Sequence, residues 1–203
     1  NDFAEKLPID EVLNELLNTM SEKNHAVLQA PPGAGKTTRI PLALLNSGLF
    51  EKKIIMLQPR RLAVLSASKR LAQHYGDQLG QTVGYRMRGE KQVSKKTRIE
   101  VVTEGVLIKM IQNDPELKNI DCIIFDEFHE RSLNADLGLT FCLEIRSELR
   151  KDLGILIMSA TLDAAPVAKL MGNAPVITSL GKSYDVHPYY LSKPWNFNIN
   201  QKN

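Results

Sequence analysis

The chain is 203 residues long and 43% hydrophobic, enough to bury one sizeable core, so a single domain is the expectation. Its 26 basic and 23 acidic residues leave a formal charge of +3, which excludes nucleic-acid binding by bulk electrostatics and leaves any such role to local residues. Only Cys122 and Cys142 are present, in no metal-ligand spacing, and no apolar run reaches the roughly 18 residues that span a bilayer, so neither a structural zinc nor a membrane association is expected. Reduced thiols in a cytoplasmic protein fit this composition, and residues 1–6 carry no basic-then-apolar leader pattern.

Helical periodicity covers residues 9–21. The apolar run Ala26-Val27-Leu28 reads as a strand, and the Gly-rich segment after it opens a second helix over residues 36–46, which Gly48 ends. A second strand, residues 54–57, leads into Gln58-Pro59-Arg60-Arg61 and a helix over 62–74, on which Leu62, Leu65 and Leu71 are core-facing positions. The basic residues Lys91, Lys95, Lys96 and Arg98 surround a turn and read as solvated surface. Strand 99–102 is followed by Thr103-Glu104 and a helix over 105–112, closed by Asp114-Pro115. Strand 122–125 is followed by Asp126-Glu127-Phe128-His129 and a helix over 132–149; strand 155–158 by Ser159-Ala160-Thr161 and a helix over 163–171, stopped by Gly172-Asn173. His25, His74 and His187 stand outside any motif and read as ordinary core or surface side chains.

Short apolar strands alternating with longer helices are the pattern of an α/β domain: a mostly parallel sheet buried on both faces by helices. Each of these strands runs straight into a polar segment, and in an open parallel sheet ligands bind at the carboxyl ends of the strands. The competing reading, ordinary surface loops, predicts scattered polar residues in place of motifs.

Ala30-Pro31-Pro32-Gly33-Ala34-Gly35-Lys36-Thr37 fits the phosphate-binding loop G-x-x-x-x-G-K-[ST], except that Ala30 stands where the pattern has its first Gly. Two glycines allow successive amides to turn inward, and the positive end of the following helix attracts phosphate. Pro32, Gly33, Ala34, Gly35, Lys36, Thr37 and Thr38 are thus candidates for holding a nucleotide, with Lys36 reaching the β- and γ-phosphates and the Thr37 hydroxyl ligating Mg²⁺. A chance Gly-rich turn before Lys-Thr is the alternative. Asp126 and Glu127, at the end of a wholly apolar strand, supply what a second metal-handling element needs: Asp126 for Mg²⁺ and Glu127 to orient and deprotonate the attacking water, so that Lys36, Asp126 and Glu127 are the candidate catalytic set. Here the alternative is an acidic helix N-terminus facing the dipole. Arg60 and Arg61 follow a strand where guanidinium groups meet a nucleic-acid backbone, and Thr103 adds a hydroxyl; solvated arginines at a helix start are the competing reading.

Taken in order, Gly33-Ala34-Gly35-Lys36-Thr37-Thr38, Gln58-Pro59-Arg60-Arg61, Thr103-Glu104-Gly105, Asp126-Glu127-Phe128-His129 and Ser159-Ala160-Thr161 resemble motifs I, Ia, Ib, II and III of the DEAH-box helicases of superfamily 2. Phe128 in the acidic box, and the Ala-Pro-Pro-Gly-Ala-Gly-Lys form of the loop, most resemble the bacterial HrpB-like branch; the similarity covers residues 7–190. The resemblance implies a RecA-like P-loop NTPase fold that uses ATP, or another NTP, with Mg²⁺, and couples hydrolysis to 3′-to-5′ movement on a single strand, RNA more than DNA. It implies that Arg60, Arg61 and Thr103 lie on the strand track. It further implies that His129 meets a second RecA-like domain, that Ser159 and Thr161 couple hydrolysis to movement, and that Arg70 stacks on the base with little discrimination among nucleotides. By the same resemblance residues 1–190 are the first RecA-like domain, and residues 191–203 a connector toward a second one in the same full-length chain, which in the family brings a Gln-Arg-x-Gly-Arg-x-Gly-Arg segment. A nucleotide-dependent clamp or remodelling factor that does not separate strands is the alternative function. A P-loop kinase or transporter ATPase is disfavoured, because Gln58-Pro59-Arg60-Arg61 and Ser159-Ala160-Thr161 have no role in transfer to a small acceptor.

Overall fold

A computed structural model of the chain describes residues 6–160 and 164–180. Its sheet has eight strands in the order β4-β3-β5-β2-β6-β7-β1-β8, formed by β1 His25–Gln29, β2 Lys53–Gln58, β3 Val83–Met87, β4 Glu90–Gln92, β5 Ile99–Thr103, β6 Ile120–Phe125, β7 Gly154–Ser159 and β8 Val176–Thr178. All neighbours are parallel except β3 and β4. The helices are α1 Leu13–Lys23, α2 Lys36–Asn46, α3 Arg61–Tyr75, α4 Glu104–Asn113, α5 Leu133–Glu148 and α6 Ala164–Leu170.

Side chains alternate across a strand, so a run that is apolar at every position feeds two cores at once. Leu28, Ile54, Met56, Val101, Ile124 and Met158 pack with α1, α2 and α3 on one face. Their neighbours Val27, Ile55, Leu57, Val102, Ile123 and Ile157 pack with α4, α5 and α6 on the other. Both faces are therefore dry, and the α/β prediction with helices on both sides holds. Among the described residues no helix is long and apolar enough to cross a membrane. Both cysteines are buried, and burial raises their thiol pKa values far above the ordinary range, which leaves them inert packing groups.

Several expectations need correction. The first helix is two pieces, a 3₁₀ turn Pro8–Glu11 and α1, because the Leu7 amide donates to the Asp10 carboxylate (2.9 Å) and the Ile9 amide to the Ala34 carbonyl (3.2 Å), which holds the turn apart from α1. Three strands were not anticipated: β3 and β4, a hairpin turned at Gly89 (φ 80°), and the edge strand β8. Each is short or interrupted by polar residues, so its apolar period is weak. Leu62 is not core: it lies one residue into α3 and is 81% exposed, whereas Leu65 is half-buried and Leu71 fully buried. Nor is Arg98 solvated surface, since its guanidinium donates to the carbonyls of Phe50 (2.9 Å) and Lys52 (3.3 Å) and ties the β5 entry to the turn before β2. Lys91, Lys95 and Lys96 are exposed as expected. His25 Nδ1 donates to the Lys23 carbonyl (2.6 Å) and His74 is exposed, while Thr161, Asp163 and His187 lie outside the described residues.

Candidate nucleotide-binding site

Five parallel strands, β1, β7, β6, β2 and β5, end on one edge of the sheet, and every predicted motif leaves from one of those ends. Register makes neighbours of them: Gln29 pairs with Ser159, Leu57 with Phe125 and Gln58 with Thr103. The topology thus converts five segments scattered through the sequence into a single rim.

The loop after β1 is shaped by Gly33 (φ 77°) and by Gly35 (φ 92°), the N-cap of α2, both left-handed. At Gly35 space is closed as well, since a Cβ there would sit 2.5 Å from Leu7 Cδ1. The loop is anchored at both ends: the Ala30 amide donates to the Ser159 carbonyl (3.0 Å), and the Ala34 carbonyl accepts from Ile9. Ala30 is fully buried, so the departure from the loop pattern is a methyl packed into the core. Lys36 begins α2 with its side chain only 4% exposed, its Nζ 3.2 Å from Glu127 Oε1.

Asp126 is the best-surrounded carboxylate of the rim. Its Oδ2 accepts from Thr37 Oγ1 (2.7 Å) and from Gln58 Nε2 (2.6 Å), and its Oδ1 from the Glu127 amide (2.9 Å). Burial nevertheless dominates and raises its pKa above the ordinary range; the Glu127 charge pushes the same way, while Thr37, Lys36 and Gln58 oppose. Glu127 adopts a left-handed backbone (φ 53°), an uncommon conformation for a non-glycine residue that turns its carboxylate across the loop. One carboxylate oxygen meets Lys36 and the other meets His129 Nε2 (3.2 Å). His129 Nδ1 in turn accepts from the Ala160 amide (3.2 Å), so the proton sits on Nε2, facing Glu127. Phe128 anchors the turn by burying its ring edge-on to Phe125, centroids 6.0 Å apart, with the Arg131 guanidinium 5.1 Å above it.

Lys36, Thr37, Asp126, Glu127, His129 and the Ser159-Ala160 end of β7 are therefore one connected cluster. The remaining predicted residues stand outside it. Arg60, the N-cap of α3, pairs with Glu130 (2.8 Å), and Arg61 donates to the Arg88 carbonyl (2.9 Å) and pairs with Glu90 (3.3 Å). Thr103, the N-cap of α4, lines a cavity of about 470 Å³ with Arg86, Arg88, Gly105 and Lys109. Arg70 is exposed on α3 and donates to Ser66 Oγ (3.0 Å). Gln58 and Glu130 are two residues whose roles the sequence reading missed. Gln58 ends an apolar strand beside the one that ends in Asp126, a signal that becomes visible only once β2 and β6 are known to be neighbours.

Residues 10–170 match the family model of the DEAD/DEAH box helicases. The chain belongs to this family. It is 50% identical over 188 residues to the ATP-dependent RNA helicase HrpB of Escherichia coli (strain K12), a match that covers 93% of this chain and 23% of that protein. The ATP-dependent RNA helicase HrpA homolog of Haemophilus influenzae is 38% identical over 189 residues, covering 93% of this chain and 14% of the relative. A crystal structure of the Escherichia coli DEAH/RHA helicase HrpB superposes with a TM-score of 0.86 at 48% identity, over 95% of this chain and 25% of that one. The chain thus spans about a quarter or less of the helicases it resembles, and the part it matches is the RecA-like domain of this fold.

Proposed function

We propose that this domain is the ATP-binding half of an RNA helicase: it holds ATP with Mg²⁺ on the 30–38 loop, hydrolyses it with Glu127, and offers Arg60, Arg61 and Thr103 to the backbone of a single strand. The observation that carries the reading is the paired geometry of the rim, Lys36 against Glu127 at 3.2 Å and Thr37 against Asp126 at 2.7 Å. A hydroxyl and a carboxylate oxygen in contact at a loop mouth form a hard donor set of the kind Mg²⁺ takes. Thr37 and Asp126 would hold the ion, which when bound neutralises charge on the β- and γ-phosphate oxygens.

The chain's own residues do the rest. Lys36 exchanges the Glu127 carboxylate for a phosphate oxygen, a like-for-like swap of anionic partner in a nearly closed site. Released from Lys36, the Glu127 carboxylate is available to accept a proton from the attacking water, and His129 keeps it oriented from the other side. Gln58 fixes the Asp126 carboxylate, and His129 links the cluster to Ala160 on the segment read as coupling hydrolysis to movement, with Ser159 and Thr161. Residues 1–190 form the first RecA-like domain in this reading, and residues 191–203 lead to a second that meets His129 and completes the nucleotide site. Arg70 serves the base by stacking alone.

Calorimetry with Mg²⁺ and nucleotide tests the assignment. Lys36→Ala is expected to weaken ATP binding about 10–100-fold, the loss of one charge-assisted contact. Glu127→Gln is expected to keep binding and to lose turnover by about 10²-fold or more. Equal affinity for wild type and Lys36→Ala sinks the reading. Unwinding of a tailed duplex by the full-length protein separates a helicase from a clamp.

A further inference from the structure

Both arginines read as strand contacts are already held by carboxylates, and the two carboxylates differ in what lies behind them. Arg61 pairs with Glu90 on the β3–β4 hairpin at the far edge of the sheet, where the next partner is the Tyr85 hydroxyl (2.6 Å). Arg60 pairs with Glu130, which lies on the same short turn as Glu127 and His129. That turn is tightly wound: the Glu130 amide donates to the Glu127 carbonyl (2.9 Å), and Arg131, which closes it, has a φ of 33°. Side-chain ligand atoms of Glu127, His129 and Glu130 all lie within 4.8 Å of one another. The only cation paired with Glu130 among the described residues is Arg60.

We infer that Glu130 is a positioning residue that reports strand occupancy to the nucleotide site, with Arg60 as its removable counter-charge. The inference rests on the proposed roles of Arg60 and Glu127. In the strand-free domain Arg60 neutralises Glu130, and the clamp of Lys36, Glu127 and His129 is undisturbed. A phosphodiester offers a guanidinium the same bidentate geometry as a carboxylate, and the exposed Arg60–Glu130 pair holds Arg60 only weakly, so a bound strand can take it. When the strand takes Arg60, Glu130 becomes an unpaired negative charge beside Glu127 and His129. It repels the first, which weakens the hold of Glu127 on Lys36, frees Lys36 for the phosphates and frees Glu127 for water while His129 still orients the carboxylate. No bond is made or broken in this step; one ion pair replaces another.

The two partners then have opposite phenotypes, which a bridge of merely structural value does not give. The test uses the full-length protein, oligouridylate binding by fluorescence anisotropy, and steady-state ATPase with and without saturating oligouridylate. Glu130→Gln removes the competitor for Arg60, so strand affinity is expected to tighten about two- to fivefold, the range of an exposed ion pair, while strand stimulation of turnover is lost. Arg60→Gln unmasks Glu130 permanently, so strand affinity falls and strand-free turnover rises about threefold or more; adding Glu130→Gln to it reverses that rise. Glu130→Asp, which keeps the charge, is expected to retain stimulation. If Arg60→Gln binds the strand as wild type does, the strand-track reading itself fails. If it binds more weakly but strand-free turnover does not rise, or if Glu130→Gln keeps full stimulation, the inference alone is overturned.

Discussion

Asp126 shows how far a single residue could be read in advance. Its role as an acidic end to an apolar strand was visible in the sequence, and so were Lys36, Thr37 and Glu127, because each sits at a fixed offset in a local motif. The hydrogen bond from Gln58, 68 positions away, was not, nor was the Glu130 partner of Arg60, 70 positions away, since both depend on which strands are neighbours. The raised pKa of Asp126 has a measurable consequence. In the metal-free domain the folded state holds the Asp126 proton more tightly than the unfolded chain does, so the stability this group contributes is full below the ordinary aspartate pKa and is lost as pH rises through the raised folded value. Asp126→Asn has no such proton to lose. Its melting temperature relative to wild type, measured without metal, is therefore expected to climb as pH rises above the ordinary aspartate range, by about 2–4 °C for each kcal/mol involved; a difference that stays flat with pH refutes the claim. With Asp126 in its proposed role as a metal ligand, the carboxylate form is required, so Mg²⁺-nucleotide affinity is expected to move the opposite way and fall as pH is lowered.

At the scale of elements, five of the eight strands and all of the long helices announced themselves through period and punctuation. They are dry on both faces, and an unbroken apolar run bounded by turn residues is hard to mistake. β4 and β8 are the edge strands, where one side is unpaired and polar residues are tolerated, and β3, paired on both sides, is interrupted by Gly84 and Arg86, so these three sequences carry little of the strand signal. The break between the turn Pro8–Glu11 and α1 was invisible for another reason: it exists to seat residues 7–10 on the phosphate loop, a tertiary demand. Gly35 tests that seat. Gly35→Ala places an L-residue at φ 92° and drives its Cβ toward Leu7, and a left-handed L-residue costs about 1–2 kcal/mol before the contact is counted. A fall in melting temperature of about 2–8 °C is expected, together with at least a tenfold loss of nucleotide affinity as the amides of the loop shift. Gly48→Ala, also left-handed (φ 74°) but in open space at the far end of α2, is the control: stability drops and nucleotide affinity stays. Equal nucleotide affinities in the two variants discount the seat.

For the molecule as a whole, the rim is a surface with one side. Phosphoryl transfer develops charge on the γ-phosphoryl oxygens, and an arginine delivered to them contributes about 10³–10⁵ in rate. The arginines on the elements around the phosphate loop are each engaged elsewhere: Arg39 of α2 with Asp10, Arg60 with Glu130 and Arg131 with Asp136. In the proposed reading the described residues offer a lysine, metal-binding oxygens and a general base but leave the γ-phosphate without a committed guanidinium, and the 203-residue sequence contains no Gln-Arg-x-Gly-Arg-x-Gly-Arg segment. The chain by itself is therefore expected to bind nucleotide yet turn it over about 10³-fold or more below the full-length protein. Oligouridylate is expected to stimulate the full-length protein and to leave the 203-residue chain nearly silent, because the inferred unmasking of Glu130 would act on Glu127 and supply no cation to the γ-phosphate. Steady-state ATPase assays of both, each with and without the oligonucleotide, decide this. Robust stimulated turnover by the chain alone requires one of its own arginines to abandon its present partner for the γ-phosphate; Arg39→Gln, Arg60→Gln and Arg131→Gln then identify which one.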